Sequence, residues 1–126
     1  MRAKMLLLAL VFTPFAFKAP QAAPLKLDTD RDGTIDLAEM EAAAAAAFDR
    51  LDKDTDTTLS YDEAKKRMTK NAFRGADPDE DQTLTKEEYV HMAEKLFKAA
   101  DINNDGTLDA RELQSRAGQA LERLLK

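Results

Sequence analysis

The 126-residue chain has no cysteine and a single histidine, and these two gaps close off several chemistries at once. Without cysteine there is no disulfide framework, no thiolate metal site and no thiol nucleophile. His91, two residues beyond Tyr89 in a helical segment, reads as a surface or boundary residue rather than a ligand. No Ser-His-Asp set, phosphate-cradling glycine loop or carboxylate pair in an apolar setting is found, so an enzyme is not supported. Apolar runs are scarce as well. The longest, Met5 to Phe17, is broken by Thr13 and Pro14 and is too short to span a bilayer. A basic start (Met1-Arg2-Ala3-Lys4) precedes it and small residues follow up to Ala22-Ala23, which is the layout of a secretory signal peptide over residues 1–22. Cleavage after Ala22 leaves residues 23–126 as one small domain.

Positive charge is the next shortage. Removing residues 1–22 takes away Arg2, Lys4 and Lys18 and no acid, so the formal charge moves from −5 to −8. An acidic chain of this kind argues against nucleic acid and against an anionic membrane surface once the leader is gone, and it suits a cation binder.

The acids are not scattered. Asp28, Asp30, Asp32, Asp36 and Glu39 stand at positions 1, 3, 5, 9 and 12 of a twelve-residue stretch with Gly33 at position 6 and Thr34 at position 7. Three more stretches keep the phase. The second has Asp52, Asp54, Asp56, Thr58, Ser60 and Glu63; the third has Asp77, Asp79, Asp81, Thr83, Thr85 and Glu88; the fourth has Asp101, Asn103, Asp105, Thr107, Asp109 and Glu112. This is the calcium-loop pattern of the EF-hand. A hard cation of calcium's size takes about six to eight oxygens, so the chain must wrap around it, with alternate residues pointing inward, a backbone carbonyl from position 7 and a bidentate glutamate closing the shell. Gly33 and Gly106 supply the tight turn at position 6, whereas Thr57 and Gln82 must adopt positive φ there. The expected order of the sites is therefore one, four, three and two.

The spacing sets the architecture. Twelve residues (Met40 to Leu51) separate loops one and two, thirteen (Ala64 to Ala76) loops two and three, and twelve (Tyr89 to Ala100) loops three and four. At about 1.5 Å per residue each gap holds about one helix, which must leave one loop and enter the next. Apolar stripes at Met40, Ala44, Phe48 and Leu51, at Tyr89, Met92, Ala93, Leu96 and Phe97, and at Leu113, Ala117, Ala120, Leu121 and Leu124 read as core faces. Thr69 is placed to cap a new short helix through Phe73, which splits the middle gap. Loops two and three then lie side by side, and loops one and four meet at the opposite end. The position-8 residues are expected to join them, Leu59 with Leu84 and Ile35 with Leu108. The expected fold is all-α, a compact three-helix bundle with four metal loops paired 2/3 and 1/4.

Four such loops about a dozen residues apart, behind a signal peptide, resemble the lanmodulins, small periplasmic bacterial proteins that prefer lanthanide ions to calcium. The likeness is strongest at Asp32-Gly33-Thr34-Ile35-Asp36-Leu37 and at Asp105 to Leu113, continuing into Ala117-Gly118. It implies a periplasmic carrier, buffer or sensor of lanthanide(III) ions with metal-coupled folding. The chain departs from the family in having proline at position 2 only as Pro78, against Thr29, Lys53 and Ile102 elsewhere, and in Ser60 and Thr85 at position 9. A Ca2+ buffer or sensor on the same fold is the alternative reading. With only Met40, Met68 and Met92 after the leader, the chain lacks the methionine-rich groove of a target-capturing sensor. Metal ions are the expected partners, bound by a monomer or a metal-dependent dimer, and no protein partner is indicated.

Overall fold

The computed structural model describes residues 27–126, so the expected signal peptide lies outside the described residues. Along the chain run β1 (Ile35–Asp36), α1 (Leu37–Leu51), β2 (Leu59–Ser60), α2 (Tyr61–Ala64), α3 (Lys70–Gly75), β3 (Thr83–Leu84), α4 (Lys86–Ala100), β4 (Thr107–Leu108), α5 (Ala110–Leu113) and α6 (Arg116–Leu125). Among the described residues no helix is long and apolar enough to cross a membrane.

The alanine-rich stretch after the first loop forms α1 because alanine loses almost no side-chain entropy in a helix. Its buried face is Met40, Ala44, Ala47, Phe48 and Leu51. Helix α4 buries Tyr89, Ala93, Phe97 and Ala100, while Met92 and Leu96 are half-buried at its side. Helix α6 buries Gly118, Leu121, Leu124 and Leu125. The three helices pack on one another, with α4 against both α1 and α6. Phe48 and Tyr89 meet edge to face at 6.0 Å between ring centres, and the Tyr89 hydroxyl donates to the Leu124 carbonyl. Arg50, at the end of α1, donates to the carbonyls of Leu125 and Lys126 at 3.1 and 2.6 Å.

The two strand pairs are antiparallel and two residues long. In one, Ile35 stands opposite Leu108 and Asp36 opposite Thr107; in the other, Leu59 faces Leu84 and Ser60 faces Thr83. All four aliphatic residues are at most 1% exposed, which is why these very short ladders persist in a helical protein.

Two details concern the helix joints. Thr69 caps α3, accepting from the Ala72 amide at 3.1 Å, and Phe73 packs edge to face on Tyr61 at 5.5 Å. The last helical segment, read above as one stripe from Leu113 to Leu124, is instead broken. Ser115 accepts from the Gly118 amide at 3.0 Å and starts α6 afresh, and its own hydroxyl donates to the Glu112 carbonyl at 2.7 Å. Gly118 fits against that turn so closely that a Cβ would lie 2.4 Å from the Glu112 carbonyl oxygen. The serine three residues before a glycine was the available sign of the break.

Candidate metal sites

Each loop folds through the same local hydrogen bonds, because an aspartate can accept from amides further along its own turn. The position-1 carboxylate takes the amides of positions 5 and 6. Asp28 accepts from Asp32 and Gly33 at 3.1 and 2.8 Å, Asp52 from Asp56 and Thr57 at 3.2 and 3.0 Å, Asp77 from Asp81 and Gln82 at 3.3 and 2.8 Å, and Asp101 from Asp105 and Gly106 at 3.2 and 2.9 Å. The position-5 carboxylate accepts both the amide and the hydroxyl of the threonine at position 7, as Asp32 does from Thr34 at 2.9 Å each. Asp56 with Thr58, Asp81 with Thr83 and Asp105 with Thr107 repeat it. Threonine at all four places thus orients an aspartate as well as presenting a carbonyl, a role for its hydroxyl that sequence reasoning missed.

Position 9 caps the helix that leaves each loop. Asp36, Ser60, Thr85 and Asp109 each accept from the amide of the glutamate at position 12, and one oxygen of that glutamate accepts the position-9 amide in return. The capping bond thereby turns the glutamate back toward the loop.

The backbone winds through the left-handed region twice per loop. At position 6 the φ angles are 86° for Gly33, 70° for Thr57, 67° for Gln82 and 81° for Gly106. At position 4 they are 60° for Arg31, 53° for Thr55, 53° for Glu80 and 57° for Asn104. The position-4 requirement was not legible in the sequence, apart from the asparagine, which tolerates this region. Loop two carries the strain on two threonines, whose hydroxyls donate to the carbonyls of Asp54 and Asp56.

Acidic oxygens gather within 4.8 Å of one another in every loop. Loop one holds Asp28, Asp30 and Asp32 together and, sharing Asp30, also Asp36 and Glu39; loop two holds Asp52, Asp54, Asp56 and Glu63; loop three holds Asp77, Asp79 and Asp81; loop four holds Asp101, Asp105 and Glu112. Glu88 and Asp109 stand outside these groups, and Asp109 is engaged as a cap. Crowding marks the protonation of the clusters. A hydrogen bond with Asp28, followed by partial loss of hydration, pushes the Asp30 carboxyl up to about 6, and Asp77 does the same to Asp79. Loss of hydration raises Asp54. The threonine amides hold Asp32, Asp56, Asp81 and Asp105 below the ordinary carboxylate range. Oxygen-only donor sets of this kind fit hard cations. His91 is far from this chemistry in character, exposed and 3.3 Å from Glu94.

The EF hand family model matches residues 25–43 and 92–115, which contain loops one and four. The chain is also similar to the mitochondrial adenyl nucleotide antiporter SLC25A24 of Danio rerio, 34% identical over 96 residues. That alignment covers 71% of this chain, which spans only 17% of the relative's length. The family matches and the acidic clusters together identify EF-hand metal-binding loops.

Proposed function

We propose that the protein is an exported, periplasmic EF-hand protein of the lanmodulin kind, which carries, buffers or senses lanthanide(III) ions and gains helix as it binds them. The ion is its cargo, held by two paired ends of one helical bundle, loops one and four at one end and two and three at the other. The carrying observation is loop one, with five carboxylates in ligand positions, joined through Ile35 and Leu108 to a fourth loop that also has aspartate at position 9. A +3 ion gains about half as much again as a +2 ion from each carboxylate by Coulomb's law. Dehydration costs rise more steeply with charge, so a loop tilts toward the +3 ion only as its anionic ligands increase in number. A competition titration of lanthanum(III) against calcium, followed by far-ultraviolet circular dichroism, tests this reading. Helix should form at far lower free lanthanum(III) than calcium, and equal midpoints would defeat it.

A calcium buffer on the same loops is the second reading. It is favoured by the uncharged Ser60 and Thr85 at position 9 of loops two and three. Equal midpoints for the two ions are its signature.

A further inference from the structure

The four closing glutamates differ in how their second oxygen is held, and the residue at position 2 makes the difference. In loop one, Oε2 of Glu39 accepts the Thr29 amide at 2.6 Å, the Thr29 hydroxyl at 2.8 Å and the Asp30 amide at 3.3 Å. In loops two and four the position-2 amide alone reaches it, from Lys53 to Glu63 at 3.2 Å and from Ile102 to Glu112 at 3.0 Å. Loop three has Pro78 there, which has no amide hydrogen. Among the described residues nothing donates to Oε2 of Glu88, whose Oε1 accepts the Thr85 amide at 2.9 Å like its counterparts. Glu88 is also the one closing glutamate that stands outside the acidic groups.

We infer that position 2 is a positioning residue for the closing glutamate, with Thr29 the strongest holder and Pro78 none. Resting on the metal-binding reading above, this grades the sites by a feature other than carboxylate number. A glutamate that must supply both oxygens loses rotamer freedom on binding, and a donor already holding the second oxygen removes part of that cost. A carboxylate oxygen has lone pairs enough to keep an N–H or O–H partner and still face an ion. The hydroxyl of Thr29 is available to no other loop, since Lys53, Pro78 and Ile102 lack one.

The test is a pair of matched substitutions read by amide NMR during titration with diamagnetic lanthanum(III). Site one is followed at the Gly33 amide and site three at the Gln82 amide. Thr29→Val keeps the shape and the amide but removes the hydroxyl, and should weaken site one by about tenfold, the lower end of what loss of such an outer partner costs. Thr29→Ser restores the hydroxyl and should recover most of the affinity. Pro78→Thr should bind more tightly at site three than Pro78→Val by a similar factor; comparing the two cancels the loss of proline. Equal site-one midpoints for wild type, Val and Ser would overturn the inference while leaving metal binding intact. Absence of any shift at Gly33 in the wild type would defeat the metal-binding reading itself.

Discussion

The two ends of the molecule solve one geometric problem with different residues. At the end built by loops one and four, glycine occupies position 6 and aspartate position 9 in both loops. At the other end, Thr57 and Gln82 take the left-handed backbone at φ 70° and 67°, and Ser60 and Thr85 do the capping. The hydrogen bonds are nonetheless the same in kind, amide to position 1, threonine to position 5, glutamate to position 9. A shared loop shape thus persists while strain and charge are varied beneath it. The shape says where an ion sits, and the varied positions say how strongly and which one.

Removing metal altogether should have the largest effect. Each loop crowds several carboxylates, and repulsion among them opposes the compact state until a cation cancels it. Treatment with a chelator should sharply reduce the helical circular dichroism signal, and a spectrum indifferent to metal would contradict the coupling. Gly118→Ala comes next. Its new Cβ meets the backbone at Glu112 and Leu113, so overpacking should cost about 2 kcal/mol in thermal or denaturant unfolding. Gly75→Ala, at the other end, meets nothing within 4 Å and should be close to neutral. A neutral Gly118→Ala would mean the α5–α6 joint gives way without cost.

The double substitution Asp36→Ser and Asp109→Ser makes the first end resemble the second. Serine keeps the cap, as Ser60 shows by accepting from the Glu63 amide, so charge is changed with little change of fold. The lanthanum-to-calcium ratio should fall by about tenfold, or ~1.4 kcal/mol, as measured by competition titration; an unmoved ratio would remove position 9 as its cause. Thr57→Gly runs the comparison in reverse. Relief of left-handed strain of about 1–3 kcal/mol, less the entropy that glycine costs, should tighten site two by about fivefold on calorimetric titration. Unchanged or weaker binding would show that the loop reorganises its backbone on ion uptake.

Acidity should act with the smallest and most distinctive sign. Asp30 and Asp79 titrate near 6 in the folded chain, above the ordinary 3.8. Their protonated forms are favoured by folding, so the metal-free protein gains stability from them at lower pH and loses it as pH rises through about 6. Ion binding goes the other way, because the ion must displace those protons; affinity should weaken as pH falls below about 6, with proton uptake or release followed by calorimetry in two buffers. Asn103 occupies the corresponding place in loop four, so that loop should respond least.

Much of this was legible because ligand chemistry demands fixed spacing. The carboxylates at positions 1, 3 and 5, the positive φ of Thr57 and Gln82, and the new helix at Thr69 all follow from local rules. The break at Ser115 was missed, since the apolar stripe runs unbroken across it; its one sequence sign was the capping serine three residues before Gly118. The second left-handed residue in each loop and the double use of the position-7 threonine were not legible, because sequence marks a residue's type and not which of its atoms is engaged. Positions of Glu88 and Asp109 outside the acidic groups likewise depend on side-chain geometry that spacing does not carry.

The tyrosines carry a practical consequence. The chain has no tryptophan, so its absorption at ~280 nm and its tyrosine emission come from Tyr61 and Tyr89. Tyr61 follows Ser60 at the exit of loop two, and Tyr89 follows Glu88 at the exit of loop three. Both chromophores therefore watch the same end of the molecule, one ring seated on Phe73 and the other buried with its hydroxyl on the Leu124 carbonyl. An optical titration that relies on light passed from a tyrosine to a luminescent ion records filling at loops two and three. A ligand occupying only loops one and four would leave that signal nearly dark, and the curve would be read as weak binding by a protein already half full.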